Sequence, residues 1–332
     1  LSGLSQNLRL IEAVLVVVVT VSVVAKYVVS VRVAEFELSQ LAFADGESSS
    51  QVSRSHLHLV FFLLLLAFSL PLQSWSGWLY IGQFPPNVWH NSTTIFVMPL
   101  VVLLFWQSYR SLLDPSWRNM GLVLLLSALN LAAKPSFVIC VGIVFPLFAL
   151  VRYRFGAPFW RVVSVMAVTF FLLLAQALYS FNSSATDVLF PGRETAAGVK
   201  IDPFNVWSYF SDSIPLSLLA SFLFPVVVFL AYRRKASEWY LYRYAWALSA
   251  AGLLVYIMIS QTGPGEYAAD FSWQVIMSMY TLFLVSLVLM LHEMSSRSRW
   301  GWKEWMVGAT FILHVVAGIA YVVRLFVTQE YL

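Results

Sequence analysis

The sequence predicts an all-α, polytopic transmembrane helical bundle, and its composition and segment lengths are the observations that predict it. Of the 332 residues, 60% are hydrophobic and only 11% are charged, whereas a soluble domain is nearer half apolar and a quarter charged. Several separate apolar runs reach the roughly 17–25 residues that a helix needs to cross a bilayer. The runs are continuous rather than alternating, which favours helices over the strands of a barrel.

Ten apolar segments follow one another along the chain, and each is predicted to be one span of a single transmembrane domain over residues 1–332. The first is rich in valine, and Lys26 near its end is expected to extend its ammonium to the headgroups. The fourth and fifth are separated only by Lys134-Pro135-Ser136. The predicted spans are Leu10–Val31, Leu57–Leu72, Ile95–Leu113, Met120–Ala133, Phe137–Val151, Val162–Phe181, Ile214–Tyr232, Ala245–Gln261, Trp273–His292 and Met306–Val327.

The positive-inside rule orients these spans. Twelve of the twenty Lys and Arg residues fall in four turns that alternation places on one face, which we assign to the cytoplasm. The outer face then carries the loops 73–94, 182–213 and 261–272. Alternation also places the polar segment 32–56 in the cytoplasm, but an acidic segment without a basic cluster fits the outer face better. Both placements stay open for its carboxylates, which are Glu35, Glu37, Asp45 and Glu47.

The most polar and chemically specific stretch is Pro85-Pro86-Asn87-Val88-Trp89-His90-Asn91-Ser92-Thr93-Thr94, on the outer face. Two prolines stop a helix and favour an extended backbone before them. Asn91, Ser92 or Thr93 can then cap the following helix. The stretch would present Trp89, His90 and Asn91 at the mouth of the bundle. The alternative interpretation is an interfacial loop with a belt tryptophan and a capping asparagine.

Lys134 stands between two apolar runs, where an ionisable side chain is costly and is by default a functional hypothesis. Its ammonium could bind a phosphate as a point charge. Asn130 lies one turn earlier, at the i, i+4 spacing that puts both side chains on one helix face. We therefore expect both to face one cavity. The alternative is a lysine that reaches the headgroups from a short hairpin.

A second outer cluster runs from Gly263 to Trp273 and contains two acids, Glu266 and Asp270. Its Gly-Pro-Gly sequence predicts a turn. A carboxylate at the mouth of a bundle can act as a general base or bind a cation. A divalent cation is compatible with these residues, but no spacing in the chain requires one. The alternative is a solvated loop with a capping aspartate.

Other classes of function lack their sequence signature. There is no P-loop, no G-x-G-x-x-G and no H-E-x-x-H, which argues against a nucleotide-driven pump. Cys140 is the single cysteine, so one chain cannot form a disulfide or a cysteine-based metal site. The predicted partners are membrane lipids, and no nucleic-acid partner is expected.

These motifs resemble those of a bacterial family of polytopic membrane proteins that tends to occur with exopolysaccharide genes. The family carries P-N-x-W-H-N-P-T, K-P-S-F and an E…N-F-x-W element. The similar segments here are Pro86-Asn87-Val88-Trp89-His90-Asn91-Ser92-Thr93, Lys134-Pro135-Ser136-Phe137 and Glu266 to Asp270-Phe271-Ser272-Trp273. Ser92 stands in place of the family's proline, and Asp270 in place of its asparagine. The resemblance implies a location in the bacterial cytoplasmic membrane.

The layout is also similar to that of the GT-C glycosyltransferases. These are polytopic helical enzymes whose outer-face active site receives polyprenyl-phosphate sugars, and they use an acidic residue near the first outer loop as a base. The resemblance extends that role to a carboxylate of segment 32–56 only if this segment is external.

The leading hypothesis is a GT-C-like glycosyltransferase that acts on polyprenyl-phosphate-linked sugars in surface polysaccharide assembly. Glu266, or a carboxylate of segment 32–56, would take the proton from an acceptor hydroxyl. Lys134 and His90 would stabilise the phosphate leaving group. The remaining candidate residues would bind sugar or lipid phosphate, and they are Trp89, Asn91, Asn130 and Asp270.

The competing hypothesis is a non-catalytic membrane protein, either a transporter or flippase or a structural subunit of a larger complex. An enzyme predicts a blind outer cavity lined by His90, Lys134 and Glu266. A transporter predicts a path near the midplane that opens to alternate sides. A structural subunit predicts no polar cavity.

Overall fold

The computed structural model describes residues 2–46, 52–72, 82–182, 198–263, 266–297 and 299–328, which are mostly α-helical. Two short strands, β1 (Val199–Ile201) and β2 (Ile259–Gln261), pair antiparallel. The α-helices in the described ranges are α1 (Ser2–Ala44), α2 (Arg54–Leu66), α3 (Ser92–Leu113), α4 (Trp117–Ala133), α5 (Ser136–Tyr153), α6 (Ala157–Asn182), α7 (Asn205–Phe210), α8 (Ile214–Ala231), α9 (Arg233–Glu238), α10 (Tyr240–Met258), α11 (Trp273–Ser295) and α12 (Trp302–Thr328).

Eight helices of the described part are long and apolar enough to cross a membrane, so the prediction of an all-α polytopic bundle is confirmed. Helices α2 and α4 are apolar but shorter, with 13 and 17 residues. The eight long segments are Ile11–Ala44, Ser92–Leu113, Ser136–Tyr153, Ala157–Tyr179, Ile214–Ala231, Tyr240–Met258, Asp270–Ser295 and Trp302–Thr328.

Helix α11 forms the centre of the bundle. All of its residues from Gln274 to His292 are buried, and it packs against α1, α5, α8 and α10. Burial on every face is what an all-round apolar helix requires. Two of its hydroxyl groups bond within the helix: Ser278 Oγ donates to Gln274 O and Thr281 Oγ1 donates to Ser278 O, both at 2.8 Å.

Helix α1 continues to Ala44, so the prediction that the first span ends at Val31 and a polar loop follows is wrong. Apolar residues recur at helical spacing through this segment and are buried against the bundle, including Ala34, Leu38 and Leu41. Burial of this apolar stripe holds the segment helical although it contains Glu35 and Glu37, and Glu37 is itself buried.

The C-terminal end of α1 lies at the end of the bundle that carries the four basic turns. Asp45, directly after the helix, forms ion pairs with Lys235 of α9 and with His292 of α11, the latter at 2.8 Å from Nε2. We call this the basic end and the opposite one the outer end. Residues 32–46 therefore lie at or towards the basic end, which decides the placement that the sequence left open. Glu47 lies outside the described residues.

Helix α2 ends at Leu66 within the bundle, and the chain continues in an extended conformation. Phe68 N donates to His314 O at 3.0 Å, and Leu70 N donates to Ala220 O at 2.9 Å. Non-helical backbone at membrane depth is tolerated where protein groups satisfy it in this way. The second predicted span is thus a half-helix followed by a buried extended segment.

Candidate functional site

The polar motif enters the bundle through segment 82–91, most of which is buried. Phe84 N donates to Ser221 Oγ at 2.9 Å. Gly82 has a φ of 86°, which glycine adopts without strain, and its carbonyl accepts from Trp207 Nε1 at 2.9 Å. These bonds fix the backbone just before the two prolines. Residues 73–81 and 183–197 of the predicted outer loops lie outside the described part of the chain.

Asn91 caps α3, which confirms the predicted capping. Its Oδ1 accepts from Thr94 N at 2.9 Å and from Thr93 Oγ1 at 2.8 Å. The side chain therefore satisfies one of the free N–H groups at the start of the helix. Because Asn91 Oδ1 already accepts two hydrogen bonds, Asn91 is less able to bind a ligand than the sequence suggested.

Lys134 follows the last residue of α4, and its side chain turns into the bundle. Its backbone N donates to Asn130 O at 2.7 Å. Its Nζ donates to Thr94 Oγ1 at 2.9 Å and lies 3.6 Å from the centroid of the Trp273 ring. Burial lowers the pKa of Lys134 to about 8, and the charge of Asp270 opposes that shift.

His90 is half-buried beside α12. Its Nδ1 is 2.6 Å from Tyr321 Oη. Burial, and then the positive charge of Lys134, lower the pKa of His90 to about 4. The imidazole is therefore neutral at pH 7, so it can offer a hydrogen bond but no positive charge.

A cavity of about 20 Å³ lies beside this segment, which is room for about one water molecule. Its polar lining includes Lys26, Asn87, Trp89 and Thr94. His90, Lys134 and Glu266, which an enzyme was predicted to bring to one outer cavity, do not line it. Trp89 Nε1 is buried without a hydrogen-bond partner among the described residues. Because Thr94 Oγ1 also accepts from Lys134, two lysines approach the same small polar region.

Lys26 does not reach the headgroups as expected, because it is only 7% exposed. Its Nζ donates to Asn87 Oδ1 at 2.5 Å and lies 3.8 Å from the centroid of the Tyr280 ring. Asn87 Nδ2 donates to the carbonyls of Leu64 and Ala67 at 2.7 and 2.8 Å. The ammonium is thus stabilised by an amide oxygen, an aromatic ring and the negative end of the α2 dipole.

Asn130 is fully buried and joins α4 to α3. Its Nδ2 donates to Leu100 O at 3.2 Å and to Leu126 O at 2.8 Å. The described cavity beside Thr94 is lined by other residues. These contacts favour a structural role over the predicted role in ligand binding.

Glu266 and Asp270 have different partners. Glu266 accepts from Lys200 Nζ at 2.8 Å and from Asn205 Nδ2 at 2.6 Å, and these bonds, chiefly that from Lys200, hold its pKa below the usual range. Asp270 Oδ2 accepts from Gln261 Nε2 at 2.9 Å, and the charge of Asp270 acts on Lys134. Asp270 is therefore better placed than Glu266 to act together with Lys134.

Among the carboxylates proposed as alternatives in segment 32–56, Glu37 lies far from this region. Glu37 Oε1 accepts from Trp106 Nε1 at 2.9 Å, and Arg110 stacks over Phe36 next to it. These partners lie near the end of α3 that faces the basic end, whereas Thr94 begins α3 at the outer end. The position of Glu37 favours an outer-end carboxylate over this residue as the base, and Glu47 lies outside the described residues.

The described residues contain no group of three or more His, Cys, Asp or Glu side chains that could hold a metal ion. No protein-family model, curated protein or solved structure matches the chain. Functional assignment therefore rests on the residues themselves. The protein is an integral membrane protein with two partly or fully buried lysines, Lys26 and Lys134, in the outer half of its helical bundle.

Proposed function

We propose that this protein binds the phosphate of a polyprenyl-phosphate-linked sugar at its outer end and transfers the sugar, as GT-C glycosyltransferases do. The observation that carries the proposal is the Lys134 ammonium, held inward between Thr94 Oγ1 and the Trp273 ring. A lysine is a compact point charge that suits a phosphate. An ionisable group at this depth costs free energy, so its presence indicates a functional role.

The length of α1 and its exposed apolar surface support a lipid as the substrate. From Lys26, α1 continues to Ile11, a rise of about 22 Å at 1.5 Å per residue. Its valines in this stretch are exposed, among them Val14, Val17 and Val21. Such a surface suits acyl or prenyl chains. Since Lys26 contacts the polar motif through Asn87, this exposed apolar surface leads from the outer end of α1 to the motif.

In the proposed reaction, an acceptor hydroxyl loses its proton to a carboxylate while its oxygen bonds to the anomeric carbon of the sugar. The bond from that carbon to the phosphate oxygen breaks, and polyprenyl phosphate leaves. Lys134 stabilises the leaving phosphate, and neutral His90 donates a hydrogen bond to it. Asp270 replaces Glu266 as the favoured base, because Glu266 is engaged by Lys200 and Asn205. We place the reaction in the bacterial cytoplasmic membrane, in surface polysaccharide assembly.

The test is sugar transfer in proteoliposomes that contain a polyprenyl-phosphate sugar. Lys134→Met keeps the apolar stem and removes the charge, so we expect a loss of about 2–4 kcal/mol in transition-state stabilisation. Lys134→Arg keeps the charge in a broader planar group and should restore activity only partly. Expression and thermal unfolding serve as controls. Wild-type activity in the Met variant would remove the basis of the proposal.

Two matched variants distinguish the roles of the carboxylates Asp270 and Glu266. Asp270→Asn should abolish transfer if Asp270 is the base, while Glu266→Gln should retain most of it. The two residues lie in one short segment at the outer end, so general disturbance of the segment affects both. The opposite ranking would return the role to Glu266.

A lipid flippase is the second candidate, and the broken helix α2 favours it. Transporters often hold their substrate near the ends of discontinuous helices, and Lys26 lies at such an end through Asn87. A flippase predicts that a fluorescent polyprenyl-phosphate analogue changes leaflet in proteoliposomes without loss of sugar. Transfer without flipping supports the enzyme instead.

A further inference from the structure

A large open pocket lies at the basic end, opposite the site described above. Its volume is about 540 Å³, within the range of small-molecule sites. Three parts of the chain form it: the turn between α8 and α9, the end of α11 and the start of α12. Asp45 closes one side, fixed there by Lys235 and by the buried His292.

The lining of the pocket carries an excess of positive charge. Five cationic and three acidic side chains line it, namely Arg233, Arg234, Lys235, Arg297 and Lys303 with Asp45, Glu238 and Glu293. Lys235 pairs with Asp45, Arg234 with Glu238, and Arg297 with Glu293 and Glu304. Arg233 and Lys303 form no ion pair with any described residue, so their charges are available to a ligand.

Exposed aromatic residues place the pocket at the level of the lipid headgroups. Trp300, Trp302 and Trp305 flank Lys303 in the sequence and are 50%, 70% and 64% exposed. Tryptophan is enriched where the hydrocarbon core meets the headgroups. Clustered Lys and Arg at that level attract anionic lipids.

We propose that this pocket binds a phosphate-bearing group, and that the headgroup of an anionic phospholipid supplies it. Arg233 and Lys303 contact the phosphate, while the three paired cations keep their carboxylate partners. This site is independent of the function proposed for the outer end, because it shares none of the residues of that site. Its failure and the failure of sugar transfer are therefore separate results.

The experiment measures binding of short-chain phosphatidylglycerol to the purified full chain by native mass spectrometry. Short-chain phosphatidylcholine, whose phosphate charge is balanced by its choline cation, is the comparison of zero net charge. The test variant is Arg233→Gln with Lys303→Gln. Two cations near a membrane surface contribute about fivefold each, so we expect binding about 25-fold weaker. Added salt should weaken binding to the wild type.

The matched control is Arg118→Gln with Arg154→Gln, which removes two exposed cations from other turns of the basic end. We expect it to bind within about threefold of the wild type. Arg233→Lys with Lys303→Arg keeps both charges and should also bind, which separates loss of charge from loss of folding. Each single Gln variant should weaken binding about fivefold and stands in if the double variant does not fold.

The source of the phosphate is tested with soluble glycerol phosphate at matched concentration. Tighter binding of phosphatidylglycerol than of glycerol phosphate supports a lipid. Equal binding of the two assigns the pocket to a free phosphate ester and overturns the lipid assignment. Equal weakening in the test and control variants, or wild-type binding in the test variant, overturns the site altogether.

Discussion

The contact between α12 and the C-terminal end of α2 gives the most specific prediction about stability. Helix α12 approaches α2 at Gly318, where an added Cβ would lie 1.5 Å from Leu66 O. Ordinary contact begins at 3.4 Å, so Gly318→Ala must separate the two backbones by about 1.9 Å. Small residues permit such close approach of helices in membranes.

The free-energy cost of Gly318→Ala depends on the contacts that the C-terminal end of α2 makes. Overpacking alone costs about 1–3 kcal/mol. Here the obstacle is backbone rather than a flexible side chain, and the shift also disturbs the bond from Phe68 N to His314 O. We therefore expect Gly318→Ala to destabilise the protein by at least about 3 kcal/mol.

Gly308 is the matched control, because it lies in the same helix and a Cβ there meets nothing within 4 Å. Gly308→Ala should gain up to about 1 kcal/mol from helix propensity. Thermal unfolding of the purified protein in detergent compares the two variants, and we expect Gly318→Ala to melt at least about 5 °C below Gly308→Ala. Equal melting temperatures would refute the close approach of α12 to α2.

Three further predictions concern the lysines and the orientation of the chain. Asn87→Leu should destabilise by about 3 kcal/mol, because it removes the amide that accepts from the Lys26 ammonium and donates to the carbonyls of Leu64 and Ala67, and adding Lys26→Met should recover part of that loss in thermal unfolding. The pKa of Lys134 is lowered to about 8 from its ordinary 10.5, so phosphate binding should fall as the pH rises through 8. Between pH 8 and 10.5 the unfolded chain binds more protons at Lys134 than the folded chain does, so the free energy of unfolding should rise with pH. Lys134→Met should show neither the fall in phosphate binding nor this rise in stability. Cysteines introduced at Ala44 and Arg234 should react with an impermeant reagent from one side of the membrane and a cysteine at Ala268 from the other, whereas labelling of all three from one side would contradict the orientation.

The sequence by itself determined the class of fold and part of the local structure. Apolar composition and run length are sufficient for spanning helices, because the bilayer leaves the backbone few alternatives. Capping is also local, so a cap at Asn91, Ser92 or Thr93 followed from the residues just after the prolines, and the structure selects Asn91. The unusual position of Lys134 was visible because a charge between two apolar runs needs no tertiary information to stand out.

Only the tertiary structure decided where α1 and α2 end and which charges meet. The acidic residues after Val31 suggested a loop, but the apolar stripe with Leu38 is buried against neighbours that the sequence does not reveal. With α1 continuing to Ala44, Lys26 lies in mid-helix rather than at an end, and a mid-span lysine is a functional candidate. Its partner Asn87 is 61 residues away, and contacts of that separation depend on how helices pack rather than on local pattern.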